Sequence, residues 1–240
     1  MFDILNNMPH SQFVTDTRNF IFICKPKADL GYIGYSYSDN TKNLRNLLKI
    51  GIDRLNQDYF IKKIHVFISD RKVIENLGFK IEEEFNILKI KTNRIHSKTY
   101  PGYTVRNAKD SDLKRLWDLY REEISLGIHS KRDLKLWLKY NKKGFFVCEI
   151  EKSIAGAVFA HIGFEGSKQS GWLRAVTVAK RYRKKYIGTN MIIHGLNYLK
   201  SKNVENITAV VLKTNTPSLK LFEKCGFYID GELFKFKKVL

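Results

Sequence analysis

The segment VAKRYRKKYIGT, residues 178–189, concentrates more chemistry than any other stretch of the chain. Lys180, Arg181, Arg183, Lys184 and Lys185 supply five cations within six residues, and Gly188 follows closely. The β-branched run GWLRAVTV (171–178) precedes this cluster and an apolar helical pattern follows it. The sequence therefore predicts a strand, a basic loop and a helix in that order. The first N–H groups of a helix lack intrahelical partners and lie at the positive end of its dipole. Backbone donors, a partial positive charge and mobile cations together suit a pyrophosphate. Gly188 is expected to let that anion approach the backbone where a Cβ would hold it off.

The surrounding pattern supplies the elements needed to hold such a loop. YTVRNA (103–108) reads as a strand, followed by a helix with apolar Leu113, Leu116, Trp117, Tyr120 and Ile124, capped by Asp110 or Ser111. A second helix carries Leu134, Trp137 and Leu138 on one face. GFFVCEI (144–150) and SIAGAVFAHI (153–162) read as a hairpin turning near Glu151-Lys152. Beyond the basic loop, a helix from about Gly188 to Lys202 leads to the strand NITAVVL (206–212). A short helix follows, with Thr216 at its N-cap and Pro217 at its first position, and strand-like ELFKFKKVL closes the chain. This β-α-α-β-β-β-α-β-α-β order predicts an α/β (α+β) fold with helices against a mixed sheet.

An internal repeat extends the pattern upstream. ENLGFKIEEEF (75–85) aligns with EKCGFYIDGEL (223–233), and LLKIGIDRL (47–55) with MIIHGLNYL (191–199). The β-rich segments KIHVFI (63–68) and NITAVVL lie between the paired blocks in the same order. The pattern predicts a duplication whose boundary falls at SKTYPG (97–102), giving domains 1–100 and 101–240.

The downstream part resembles the GNAT superfamily of acyl-CoA-dependent N-acetyltransferases. That family carries the same element order and a Gln/Arg-x-x-Gly-x-Gly/Ala loop after a strand ending in Val-x-Val. Here Val176-Thr177-Val178 matches the strand end, Arg183 the first loop position and Gly188 the last, while Tyr186 replaces the middle glycine. NTPSLKLFEKCGF (215–227) is similar to the family's Asn-x-x-Ala-x-x-x-Tyr-x-x-x-Gly-Phe segment through Asn215, Ser218, Gly226 and Phe227, with Phe222 at the tyrosine position. The resemblance covers residues 103–240.

It implies that acetyl-CoA is the acyl donor and that an amine, on a small molecule or a peptide N-terminus, attacks the thioester directly. The pantetheine arm would pair with the backbone of Val176, Thr177 and Val178, where an N–H would stabilise the oxyanion. Backbone groups from Arg183 through Tyr186, Ile187, Gly188 and Thr189 would bind the pyrophosphate, with Lys184 and Lys185 available to it or to the 3′-phosphate. Asn215 would contact the pantetheine arm, with Ser218 and Phe222 on the same segment. Phe222 stands where a tyrosine would protonate the leaving thiolate, and Tyr228 is a weak substitute. Glu149, Glu151, His161, Glu165, Asp230 and Glu232 could each border an acceptor and take its proton, with Glu149 and His161 carried as weak candidates for the base. The six histidines lack metal-ligand spacing with cysteines or acids, so no metal is expected.

The upstream copy lacks this equipment. Alignment of the repeats sets Leu44 where Gly188 stands, and YSDNTKN (37–43) contains one basic residue. Residues 1–100 are therefore expected to form a shortened, degenerate GNAT-like copy.

Composition bounds the partners. Of the chain's 240 residues 43 are Lys or Arg against 24 Asp or Glu, a formal charge of +19. Residues 1–100 hold 16 basic and 11 acidic residues and 101–240 hold 27 and 13, so the excess lies downstream and points to an anionic partner. A Fem-type transferase drawing on aminoacyl-tRNA is one competing reading, and a non-catalytic module binding CoA or nucleic acid is another. The retained pyrophosphate-type loop favours the CoA donor over RNA. No stretch approaches the ~18 apolar residues of a membrane span, and no signal peptide is evident at the N-terminus. Cys24, Cys148 and Cys225 are far apart, as in a reducing compartment, so a cytoplasmic protein is expected.

Overall fold

The structure is a computed structural model that describes residues 12–16, 19–27, 30–37, 41–57, 61–95, 100, 102–122, 131–165 and 168–240. The chain divides into two compact units, residues 1–86 with 231–240 and residues 87–230. The division expected at residue 100 lies elsewhere because it falls inside two long strands, β5 (Lys80–Lys91) and β11 (Tyr228–Val239).

The first unit contains β1 (Gln12–Asp16), β2 (Asn19–Lys27), β3 (Leu30–Tyr37), α1 (Thr41–Asn56) and β4 (Lys63–Ile68), with residues 80–86 of β5 and 231–239 of β11. Its strands run in the order β1-β2-β3-β4-β11-β5. β1, β2 and β3 pair antiparallel, β3 and β4 parallel, and β4 and β11 antiparallel. KIHVFI alternates as a strand should, burying Ile64, Val66 and Ile68. Leu44, Leu47, Leu48, Ile52 and Leu55 keep helical spacing and cover that face together with Phe234 and Phe236. Lys235 holds the final strand in this unit by ion pairs of 2.7 Å to both Glu82 and Glu83. The three-stranded opening meander, residues 12–37, has no counterpart in the elements read from the sequence.

The second unit contains β6 (Thr104–Asn107), α2 (Leu113–Glu122), α3 (Lys131–Asn141), β7 (Phe145–Ile150), β8 (Ser153–Glu165), β9 (Lys168–Val178), α4 (Ile187–Lys200), β10 (Asn206–Leu212) and α5 (Thr216–Lys224). With residues 87–91 of β5 its strand order is β5-β10-β9-β8-β7-β6. β6 to β9 are antiparallel neighbours, whereas β9 and β10 are parallel. Of the apolar positions expected on the first two helices, Leu116, Tyr120, Leu134, Trp137 and Leu138 are buried, Leu113 and Trp117 are half-buried, and Ile124 lies outside the described residues. Glu151 and Lys152 form the hairpin turn with φ of 48° and 62°, the left-handed pair a two-residue turn requires.

Two helix starts differ from the sequence reading. Neither Asp110 nor Ser111 caps α2. Asp112, fully buried, accepts the Lys109 N–H at 2.8 Å and the guanidinium groups of Arg106 and Arg115. At α5 the cap is Asn215 rather than Thr216, because the Asn215 side chain accepts the Ser218 N–H at 3.2 Å.

Candidate functional site

The site begins with a fault in a strand. Ala157 pairs with Thr177 and Phe159 with Arg174, so Val158 alone faces both Ala175 and Val176. This is a β-bulge, and Ala175 takes φ 51° to make it. The buried Tyr120 of α2 donates its hydroxyl to the Ala175 carbonyl at 2.8 Å. Burial pushes the Tyr120 pKa up, which keeps the hydroxyl protonated and donating.

Beyond the bulge, β9 parts from its neighbour. Pairing with β10 is confined to Gly171 with Ile207 and Trp172 with Thr208, although both strands continue. Ala179 donates its N–H to Ala155 of β8 at 2.9 Å, so by strand alternation the Val178 backbone faces the other way, into the opening. The Val178 carbonyl accepts Arg183 Nε at 3.1 Å, which anchors the basic loop to the strand it leaves.

The loop then turns into α4 through two left-handed residues, Lys184 at φ 61° and Tyr186 at φ 58°. Tyr186 takes the N-cap position without a side-chain hydrogen bond, and its carbonyl receives the Asn190 N–H at 3.0 Å. That is the first turn of the helix, so the N–H groups of Ile187, Gly188 and Thr189 precede the intrahelical ladder. Lys184, Lys185 and Tyr186 are exposed around them. A Cβ at Gly188 would meet a methyl of the Leu221 side chain of α5 at 2.8 Å and Val178 at 3.6 Å, so the glycine also eases the packing of α4 against its neighbours.

The second motif lies on α5. Asn215 spends its Oδ1 on the helix cap, and Ser218 supplies the donor for it. Phe222 is 4% exposed, packed edge-on against Phe227 at 5.0 Å, and belongs to the core with Ile187, Met191 and Ile192.

The model of the acetyltransferase (GNAT) family matches residues 113–227, the span holding the bulge, the loop and α5. The second unit therefore resembles a GNAT-family acetyltransferase domain. An N-alpha-acetyltransferase of Sulfurisphaera tokodaii is 26% identical over 151 residues, covering 54% of this chain and 88% of that protein. Among solved structures, a GCN5-related N-acetyltransferase from Sphaerobacter thermophilus superposes with a TM-score of 0.70 at 12% identity, covering 92% of this chain and 76% of that one. A tandem GNAT protein from the clavulanic acid biosynthesis pathway gives a TM-score of 0.69 at 10% identity, covering 97% of this chain and 84% of that one.

The second unit distributes the candidate acid and base groups unevenly. Glu149 is bound by Arg106 at 2.7 Å and Arg115 at 3.2 Å, and the Arg106 hydrogen bond heads the causes that hold its carboxyl below the usual range. Asp230 pairs with Lys89 at 3.0 Å. His161 is 1% exposed beneath Phe159, and burial lowers its pKa to about 2, so it remains neutral. Tyr228 is exposed at the start of β11. Burial pushes the thiols of Cys148 and Cys225 up to about 11, which leaves neither as a ready nucleophile. No described helix is long and apolar enough to cross a membrane. Tyr120, Ala175 and Asn190 are the site-forming residues the sequence reading missed, since a buried hydroxyl, a bulge and a buried amide leave no spacing signal.

Proposed function

We propose that the protein transfers an acetyl group from acetyl-CoA to a primary amine by direct attack. The observation that carries this reading is the opening between β9 and β10, which starts at the Ala175 bulge and leads to the uncapped, cationic start of α4. Backbone groups of Val176 and Val178 would pair with the pantetheine arm. The N–H groups of Ile187, Gly188 and Thr189, with Lys184 and Lys185, would take the pyrophosphate. The amine lone pair adds to the thioester carbonyl, and a backbone N–H beside the bulge stabilises the oxyanion, a contribution of about 2.7–4 kcal/mol where such donors have been removed. The C–S bond then breaks, the amine proton passes to water or a nearby base, and CoA leaves as thiolate. The raised thiol pKa values of Cys148 and Cys225 support a route without a covalent enzyme intermediate. The N-alpha-acetyltransferase relative supports an amine acceptor, and the positive charge of residues 101–240 disfavours a polycationic one.

The first unit is read as a shortened, degenerate copy of the second. Its α1, β4, Gly78 and β5 repeat the order of α4, β10, Gly226 and β11, and both glycines are left-handed, at φ 77° and 90°. The parallel pair β3/β4 repeats β9/β10. Likeness across 97% of the chain to a tandem GNAT protein supports the same reading.

Calorimetry with acetyl-CoA, CoA and tRNA at two salt concentrations, followed by thiol release on a panel of amines and peptide N-termini, tests the function. The expected result is one CoA bound per chain and thiol release with at least one amine. Binding of tRNA without CoA overturns the proposal. Binding of acetyl-CoA with no turnover on any amine favours a CoA-binding module, a reading the burial of Phe222 at the tyrosine position supports.

A further inference from the structure

Tyr186 stands where the family's loop has a glycine, and its backbone is left-handed at φ 58°, ψ 6°. A side chain disfavours that conformation by roughly tenfold, which is why glycine usually occupies such positions. The surrounding residues counter the bias. The Tyr186 ring stacks on Tyr100 with centroids 4.1 Å apart and planes 16° from parallel. Tyr100 is held in turn by Asn190, whose Oδ1 accepts the Tyr100 N–H at 2.8 Å and whose Nδ2 donates to the Tyr100 carbonyl at 2.9 Å. Asn190 is 2% exposed and lies in the first turn of α4, and its own N–H bonds the Tyr186 carbonyl. The three residues therefore close a ring through one backbone hydrogen bond, two side-chain hydrogen bonds and one aromatic stack.

We propose that Tyr100, upstream of the acetyltransferase motifs, is a positioning residue for the donor loop. Clamped by Asn190, it holds Tyr186 in the left-handed state that presents the N–H groups of residues 187–189 to an anion. The proposal rests on the donor reading above for its link to CoA, but the clamp itself requires no ligand. The stacked pair is exposed on the Tyr186 side, where 59% of the residue remains accessible.

The test compares the full-length protein with Tyr100→Ala, Tyr186→Gly and the double variant. In ligand-free protein, amide hydrogen exchange at Asn190, whose N–H bonds the Tyr186 carbonyl, should speed up about fivefold to tenfold in Tyr100→Ala. It should return to within about twofold of the parent in the double variant, because glycine takes the left-handed state without help. The dissociation constant for CoA should follow the same pattern, weakening by about fivefold to tenfold and recovering. A purely structural role for Tyr100 predicts a lower melting temperature with no recovery on adding Tyr186→Gly. Unchanged exchange in Tyr100→Ala overturns the clamp. Faster exchange with unchanged CoA affinity overturns its link to the donor. If the parent protein binds no CoA, the donor reading fails, and exchange alone then decides the clamp.

Discussion

The hydrogen bond from Tyr120 to Ala175 is where a single oxygen atom should separate catalysis from donor binding. Tyr120→Phe keeps the ring in its buried site beside Phe145, at 6.4 Å between centroids, and removes only the hydroxyl. The Ala175 carbonyl then loses its donor, and an unsatisfied buried carbonyl costs about 1–3 kcal/mol. With about 1 kcal/mol corresponding to 2–4 °C in a chain of this size, a fall of roughly 2–12 °C in melting temperature is expected. The second effect is local. Ala175 at φ 51° defines the bulge, and the bulge sets where the following N–H groups point. An oxyanion donor is worth about 2.7–4 kcal/mol when removed outright, so a donor tilted rather than lost should lower kcat by about threefold to thirtyfold. On the proposed donor reading, affinity for acetyl-CoA comes mainly from the loop and strand that bind before reaction, so KM for the donor should stay within about twofold. Thiol-release kinetics and thermal melting on the same preparation measure both effects. A melting temperature that drops as calculated while kcat holds would refute the coupling between this hydroxyl and the reacting centre.

Two further perturbations probe the same unit. Gly188→Ala should change stability by less than about 1 kcal/mol, because the new Cβ meets only the movable end of Leu221, at 2.8 Å, whereas Gly188→Glu should abolish CoA binding by setting a carboxylate beside the helix N–H groups. Urea melts and calorimetry separate the effects, and a Glu variant that binds CoA normally contradicts the anion site. Asp112 makes stability pH-dependent: burial would raise its pKa, but hydrogen bonds from Arg106, the Lys109 N–H and Arg115 overcome this and lower it from 3.8 to about 2. Its contribution, about 2 kcal/mol, is fully present above the unfolded value near 4 and lost as pH falls through about 2. Asp112→Asn should therefore be clearly less stable than the parent at pH 7 and nearly equal to it at pH 2; a constant gap across that range would disprove the assignment.

What the sequence made legible follows from how each feature is encoded. NITAVVL and KIHVFI were readable as strands because alternation and β-branching are local properties, and both match the observed limits or fall one residue within them. The basic loop was readable because its charges are consecutive. The helix starts at Lys109–Asp112 and at Asn215 were each misread, because several adjacent polar residues could serve there and tertiary partners, Arg106 and Arg115 for Asp112, decide which one is buried and bonded. The boundary near Pro101-Gly102 was misjudged for a different reason. Turn residues mark breaks in local structure, whereas the units are set by which strands pair. Thr92 donates its N–H to Glu205 at 3.0 Å, and this bond to the end of β5 keeps residues before the Pro-Gly pair inside the second unit. A fragment cut at residue 101 also removes Tyr100 from Asn190, so it is a poorer isolate of the domain than the spacing of motifs suggests.

The two departures from the family pattern have opposite structural consequences. Tyr186 replaces a glycine at a position defined by its backbone, and the chain retains the left-handed geometry by adding Tyr100 and Asn190 around it. Phe222 replaces a tyrosine defined by its hydroxyl, and the ring is simply absorbed into the core against Phe227, with no oxygen on it to recover the lost function. The asymmetry follows from the chemistry each position serves. No side chain substitutes for a row of helix N–H groups aimed at a phosphate, so the loop conformation must be preserved at the expense of additional contacts. A thiol of pKa near 8.5 leaves as thiolate close to neutral pH without a positioned acid, and losing that acid costs about 10²–10⁴-fold in rate rather than the reaction itself. On the proposed donor reading, a slow transferase is therefore the outcome consistent with both replacements. The exposed Tyr228 at the start of β11 is the phenolic hydroxyl nearest to Phe222 in sequence that could restore the missing acid step.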